Sequence, residues 1–329
     1  MEPKRRRDCG VQRESCMNAI IEVENLVKRY KKADANAVDG ISFSVQPGEM
    51  FTLLGPNGAG KTTTISILTT TLSPTSGSVC IAGYDAVREA SVVRRRVGII
   101  FQNPSLDMNL TAEENVRFHA VLYGLYPFRP AFVLMPKEYR QQVHELASVL
   151  GLQDDIFKQV RKFSGGMRRK LEIIRSLIHR PTVLFLDEPT LGLDPLSRRS
   201  LWEYLRKVRR DSGTTLFLTT HYLHEAEEAD TICIINKGKI ISYGTPDQVK
   251  ADLVEEYLVL DAEDREQLRA ELLNLGLSFT EIPLFKVSLD DRSPQQIIKA
   301  IDTPLTVLKT YMPTLEDAYL AILGANNEE

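Results

Sequence analysis

Two short runs carry residue types that could do chemistry together. Residues 55–62 read Gly55-Pro56-Asn57-Gly58-Ala59-Gly60-Lys61-Thr62, followed by Thr63, and fit the spacing G-x-x-x-x-G-K-[ST]. The glycines let a backbone wrap closely around phosphate oxygens with its N–H groups pointing inward. The start of a helix adds partial positive charge. Lys61 would then reach the β- and γ-phosphates of ATP, and Thr62 would ligate Mg²⁺. The second run, Val183-Leu184-Phe185-Leu186-Asp187-Glu188, is an apolar strand ending in two acids. Ligands bind at the carboxyl ends of parallel strands. There Asp187 would hold Mg²⁺ through water and Glu188 would polarise an attacking water. Adjacent strand residues face opposite ways, so the two acids must sit where the strand is already turning, which Pro189 favours.

Both runs need elements that bring them to one place. Strand-like runs recur at 20–23, 41–45, 50–54, 78–82, 97–101, 182–186, 214–219 and 231–235. Several are continuously apolar, as a parallel strand covered on both faces requires. Helical spacing lies between them, at 62–70 and at 196–210, where Leu201, Tyr204, Leu205 and Val208 recur at helical period. Alternating strands and helices predict an α/β sheet with right-handed crossovers. Residues 111–162 hold only helical pattern, at 112–125 and 138–150, with the Pro- and aromatic-rich connection 126–136 between. They read as a helical insertion. After about residue 250 the composition shifts to a small α/β pattern, with strands at 257–260, 285–289 and 305–310 and helices at 265–275, 294–301 and 314–323.

The chain has 329 residues with a net charge of −3, which argues against non-specific nucleic-acid binding. Residues 4–7 read Lys-Arg-Arg-Arg. They read either as a disordered tail, with Met17 as an alternative start, or as a patch attracted to anionic lipid. No apolar run approaches the ~18 residues that span a bilayer. Cys9, Cys16, Cys80 and Cys233 form no C-x-x-C pair, so a metal cluster is not indicated. Cys80 and Cys233 fall in strand-like runs as packing residues.

Further motifs stand in order along the chain. Tyr30 closes Val27-Lys28-Arg29-Tyr30, Gln102 ends Ile99-Ile100-Phe101-Gln102, and Phe163-Ser164-Gly165-Gly166-Met167 puts two glycines at a helix start. Gly192-Leu193-Asp194 follows Glu188, and His221 follows the run 214–219. Together with the first two runs these resemble the nucleotide-binding domain of ABC ATPases over about residues 19–250. The resemblance implies a P-loop NTPase fold, α/β with a mixed sheet core, a helical subdomain at about 103–165 and a small C-terminal α+β domain at 255–329 behind an N-terminal tail, 1–18. It implies ATP and Mg²⁺ as ligands. Tyr30 would stack on adenine, and Gln102 would contact Mg²⁺ and the attacking water. Ser164, Gly165 and Gly166 would contact a γ-phosphate held by a second copy of the chain, Gly192-Leu193-Asp194 would cross the dimer seam, and His221 would contact the γ-phosphate. Met167 and Phe163 depart from the family's LSGGQ. Arg168, Arg169 and Lys170 read either as added positive potential or as a solvated helix face.

The ending Met312-Pro313-Thr314-Leu315-Glu316-Asp317-Ala318-Tyr319-Leu320 resembles that of daunorubicin-resistance-type exporter ATPases. This implies an export ATPase, peripheral on the cytoplasmic face of the membrane, that powers a separate transmembrane permease subunit. Residues 103–107 and the helical insertion would receive that subunit. A soluble ABC ATPase acting on nucleic acid or ribosomes is the competing reading; one cassette, no sustained heptads and no basic footprint weigh against it. A non-hydrolysing module conflicts with Lys61, Asp187, Glu188 and His221.

Overall fold

The computed structural model describes residues 19–101, 105–191, 193–253, 257–289, 292–311, 314–317 and 319. The tail 1–18, Gln102, Asn103, Gly192, and Met312, Pro313, Ala318 and Leu320 of the terminal motif lie outside the described residues. The chain divides into two compact units, Met1–Ile241 and Ser242–Glu329.

The first unit opens with β1 (Ile21–Lys28), β2 (Val38–Val45), β3 (Met50–Leu54), α1 (Lys61–Leu68), β4 (Ser76–Ile81), β5 (Tyr84–Asp85), α2 (Ala90–Arg96) and β6 (Val97–Ile100). It continues through α3 (Ala112–Leu122), α4 (Lys137–Val149), α5 (Gly165–Leu177), β7 (Val183–Asp187), α6 (Pro195–Ser212), β8 (Thr215–Thr220), α7 (Leu223–Ala226) and β9 (Thr231–Asn236). The division between units falls inside β10 (Lys239–Gly244). One sheet has the order β10-β9-β3-β8-β7-β6. Every residue of β3, β7 and β8 is buried, and these strands pair in parallel with one another. Their uninterrupted apolar runs are what two covered faces demand. The run 182–186 read from sequence is shifted by one residue in the structure, to Val183–Asp187, so Asp187 is the last of β7.

A second sheet, β2-β1-β4-β5, is antiparallel. Strands β1, β2 and β4 were legible one by one, but not β5 or the separation of this sheet from the parallel one. A row of phenylalanines bridges the two sheets. Phe43 stacks on Phe51 at 5.2 Å, Phe51 on Phe217 at 5.0 Å, and Phe217 meets Phe185 at 5.4 Å. Burying each ring is worth roughly 2–3 kcal/mol, so this row fixes the sheets against each other.

The helical insertion holds together on its own terms. Thr111 and Glu114 form a capping box at the start of α3. Glu113, 2% exposed, meets Arg117 Nε at 3.2 Å and accepts from Tyr139 Oη at 3.0 Å. A buried carboxylate needs such partners.

The second unit is built from α8 (Pro246–Leu253), β11 (Tyr257–Ala262), α9 (Arg265–Asn274), β12 (Phe279–Thr280), β13 (Phe285–Ser288), α10 (Pro294–Lys299) and β14 (Leu305–Tyr311). Its sheet, β12-β13-β11-β14, is antiparallel. Leu258, Leu260, Leu268, Leu272, Phe285, Val287 and Ile297 form a core of its own.

Candidate functional site

Parallel register levels the strand ends that matter. Leu54 lies beside Thr220, Asp187 beside Thr219, and Ile100 beside Leu186. The loop after β3, the acids after β7 and the histidine after β8 therefore leave the sheet at one edge. That edge is the carboxyl edge, where an open parallel sheet leaves room for a ligand.

At two positions of the loop only glycine fits. A Cβ on Gly55 would stand 2.2 Å from Ile235 O, and one on Gly60 would stand 2.5 Å from Ala37 O. Gly60 also has φ 110 as N-cap of α1, with no side chain to cap the helix. The first amides of α1 thus keep their N–H groups unclaimed by the helix. Lys61, 6% exposed, donates from Nζ to Gly55 O at 2.6 Å and Pro56 O at 3.0 Å. Burial lowers its pKa, and the charges of Glu188 and Asp187 oppose that. Asn57, Gly58 and Thr62 are exposed and Pro56 is half-buried, while Ala59 is buried. Thr63 Oγ1 lies 3.3 Å from Tyr30 Oη. Tyr30 is 46% exposed beside the loop, with Lys28 Nζ over its ring at 5.7 Å from the centroid.

Across the edge, Asp187 is 4% exposed, and its Oδ1 accepts from Thr219 Oγ1. Burial raises its pKa; the Thr219 hydrogen bond pulls it back, Glu188 adds to the rise, and Lys61 and Arg169 oppose it. Glu188 takes φ 46, a conformation that costs a non-glycine residue about 1–2 kcal/mol. This is the turn that sharing of one site by the two acids calls for. The turn is held by the Glu188 amide, which donates to Thr219 O at 3.1 Å and Thr219 Oγ1 at 3.3 Å. Glu188 Oε1 and His221 Nδ1 lie 3.1 Å apart, so Glu188 and His221 form a pair.

Ser164 caps α5, accepting from the Met167 amide at 3.2 Å. Ser164 and Gly165 are exposed. A Cβ on Gly165 would meet nothing within 4 Å, whereas one on Gly166 would stand 3.2 Å from Ser197 Oγ. Among the described residues no hydrogen bond or ion pair joins 164–166 to 55–63. Gln102 lies outside the described residues, between the paired strand end at Ile100 and Ser105.

Two residues at this edge escaped the sequence reading. Glu225, 1% exposed, accepts from Thr190 Oγ1 and from Thr220 Oγ1, tying the segment after Glu188 to the segment before His221. Arg169 is 6% exposed, which corrects the solvated-face reading for that residue; Arg168 and Lys170 beside it are half-buried. Its guanidinium bonds to main-chain oxygens of Asp187, Glu188 and Pro189. A pattern of three consecutive basic residues does not say which one turns inward. Only the helical spacing to Glu172 (i, i+3) carried that signal. Cys233 is buried and Cys80 half-buried.

The ABC transporter family profile matches residues 38–191. The chain is 36% identical to the daunorubicin resistance ATP-binding protein of Streptomyces coeruleorubidus, over 93% of this chain and 96% of that one. It is 36% identical to the Nod factor export ATP-binding protein I of Cupriavidus metallidurans, over 94% of this chain and 98% of that one. Among solved structures, the ATP-binding subunit of an ABC transporter is 32% identical over 71% of this chain and 92% of that chain, with a TM-score of 0.62. A dimeric ATP-binding cassette in a post-hydrolysis state with ADP and Pi is 25% identical over 68% and 98%, with a TM-score of 0.61. A glycine-rich loop, a buried Asp187 and a Glu188–His221 pair on one sheet edge, in a chain with these relatives, identify the protein as a member of the ABC transporter family, an ATP-binding and ATP-hydrolysing subunit.

Proposed function

We propose that two copies of this chain close over two ATP molecules and drive a separate transmembrane permease that exports drugs or other hydrophobic compounds. The single observation behind this is the split arrangement of the motifs. Lys61, Asp187, Glu188 and His221 gather at one sheet edge, while Ser164, Gly165 and Gly166 stand at an exposed helix start with no bond to that chain's own loop. An exposed, glycine-rich helix start is an anion site awaiting a phosphate, and a second copy is the natural source. The dimeric ADP-and-Pi cassette supports the pairing. The daunorubicin-resistance and Nod-factor-export relatives support the direction of transport. Among the described residues no helix is long and apolar enough to cross a membrane, so a bilayer path comes from a partner; the cytoplasmic membrane face is then the place of work.

In this reading Tyr30 stacks on adenine. Gly55, Pro56, Asn57, Gly58, Ala59, Gly60, Lys61, Thr62 and Thr63 wrap the phosphates. Lys61 exchanges its bonds to Gly55 O and Pro56 O for phosphate oxygens. Glu188, oriented by His221, accepts a proton from the attacking water. Gln102 and the partner's Ser164 and Gly166 complete the cage. The donor set fits Mg²⁺: an exposed hydroxyl, Thr62, at an uncapped helix start, and Asp187 with one oxygen engaged by Thr219. No cluster of three or more His, Cys, Asp or Glu exists among the described residues, in keeping with an ion held mainly by the nucleotide. When bound it would neutralise charge on the β- and γ-phosphates.

The test is Glu188→Gln on a sizing column. The variant is expected to run as a dimer with ATP and as a monomer without it. A monomer at every ATP concentration refutes the shared site. Lys61→Ala should lose ATP binding, and unchanged affinity refutes the phosphate-loop assignment.

A further inference from the structure

We propose that Arg169 is a positioning residue that couples the two ATP sites of the dimer, an inference that rests on the shared-site reading above. Arg169 lies on α5, three residues past Gly166, or about 4.5 Å along the helix axis. The same helix start would face the partner's nucleotide. From there the guanidinium reaches the main chain that carries this chain's own catalytic acids.

All five of its N–H donors are used. Nε donates to Pro189 O at 3.0 Å. Nη1 donates to Phe101 O at 2.5 Å and to Glu172 Oε2 at 3.1 Å. Nη2 donates to Asp187 O at 3.2 Å and Glu188 O at 3.3 Å. Glu172, 1% exposed, accepts the Ser105 amide on its other oxygen at 3.0 Å. The ion pair therefore grips three consecutive carbonyls from the last residue of β7 onward and also Phe101 and Ser105, which flank residues 102–104. A buried cation is tolerated only when its donors are met; here four of the five acceptors are main-chain oxygens at the catalytic edge. Glu188 already holds a costly φ, so its carboxylate direction depends on what fixes its peptide units. Movement of α5 as the partner's phosphate arrives is transmitted to those carbonyls through one rigid plane. Lysine offers three donors on a flexible stem and cannot reproduce the fork.

The experiment compares the full-length chain with R169K, R169M and R169M/E172Q. The double variant removes the Arg169–Glu172 pair together and keeps an acceptor for the Ser105 amide; Arg175, 3.9 Å from Glu172, keeps its bonds to Ser105 O and Oγ. Affinity for a fluorescent ATP analogue should stay within about three-fold, because no Arg169 donor reaches residues 55–63, while kcat falls at least about ten-fold. The Hill coefficient for ATP, above 1 in the parent, should fall toward 1 in R169M/E172Q, with R169K between. A merely structural role would not separate kcat from affinity or move the Hill coefficient. A folded R169M/E172Q with parental kcat and Hill coefficient overturns the proposal, as does a parental Hill coefficient of 1. If the double variant does not fold, R169K decides by the same two readouts. The dimer test on Glu188→Gln separates the two failures. ATP-dependent dimers with unaffected Arg169 variants sink the coupling alone; absence of dimers sinks the shared site and the coupling with it.

Discussion

Replacing Glu188 by glutamine removes one negative charge and leaves almost everything that positions the side chain. The amide still donates to Thr219 O and Oγ1, and the 3.1 Å contact with His221 Nδ1 can be kept by the isosteric amide. Stability should therefore change by less than about 1 kcal/mol. Chemistry should suffer far more. A positioned general base contributes roughly 10²–10⁴-fold, or about 3–5 kcal/mol of barrier. Two neighbours respond with opposite consequences. Asp187 loses a like charge that raises its pKa, so it ionises at lower pH. Lys61 loses one of the two charges that support its ammonium against burial, so its pKa falls further. The assay is single-turnover phosphate release with enzyme in excess, alongside fluorescent-analogue affinity. The expected result is ATP affinity within about three-fold and a chemical step slower by at least about 100-fold. His221→Ala, which keeps the carboxylate but loses its orienter, should cost about ten-fold. A Glu188→Gln chemical step within about five-fold of the parent refutes the assignment of the base.

Glycine replacements should divide by position. Gly60→Ala puts a Cβ 2.5 Å from Ala37 O at φ 110. It should cost at least about 2 kcal/mol, lowering Tm by roughly 4–8 °C; a Tm within 2 °C, on the same scale, contradicts the packing argument. Gly165→Ala meets nothing within 4 Å and should hold or raise Tm, gaining up to about 1 kcal/mol of helix propensity. Its ATPase should nonetheless fall about ten-fold, and retained activity would remove the α5 start from the site. Thr219→Val deletes the hydroxyl that holds the Asp187 pKa down, so the acid limb of the pH–rate profile should move to higher pH; an unmoved limb refutes this. His119 packs on Tyr123 at 4.3 Å and near His179 at 5.9 Å, with Nε2 covered and without a hydrogen-bond partner among the described residues. Burial first, then the Arg175 and His179 charges, bring its pKa down to about 3. A depressed pKa supplies stability that is present above the unfolded value, near 6.5, and lost as pH falls toward 3. From pH 7 to pH 5 the loss is roughly 2 kcal/mol, and His119→Phe should abolish it in urea melts; an unchanged loss refutes the assignment.

Local signals carried much of this site into the sequence. The loop, the strand-end acids and His221 each follow an apolar run, and a parallel strand's carboxyl end is a fixed place once its run is seen. The second sheet was harder. Strands β1, β2 and β4 were visible, but nothing local says that β1 pairs with β2 and β4 instead of joining β3. That choice belongs to packing, through Phe43, Phe51 and Phe217. The short strand β5 and the hairpin strand β10 carry too few apolar residues to register, although Lys237-Gly238 between β9 and β10 supplies a two-residue turn with both φ positive. Arg169 and Glu225 were missed for a different reason. Each is charged, and burial of a charge depends on partners contributed by distant segments: Phe101 and Pro189 for one, Thr190 and Thr220 for the other.

Those buried charges share a logic that bears on how the edge works. Lys61 rests on carbonyls of its own loop, Asp187 on Thr219, Glu225 on two threonines, and Arg169 on Glu172 and four main-chain oxygens. Each partner set satisfies a charge that would otherwise carry a desolvation cost of several kcal/mol. On the proposed reading, nucleotide binding at Lys61 would be an exchange. Two bonds from the ammonium to neutral carbonyls would be traded for bonds in which both partners are charged, a net gain of about 1–2 kcal/mol. Glu188 and His221 differ from the rest. Their side chains are 11% and 32% exposed, and they contact each other through titratable atoms on the open side of the edge. A pair so placed can take a proton without unmaking the structure that holds it, because the Glu188 backbone, not its carboxylate, carries the fixed bonds to β8. That division of labour, with main chain for position and side chain for chemistry, is why the Glu188→Gln variant should fold, bind and close, yet fail to turn over.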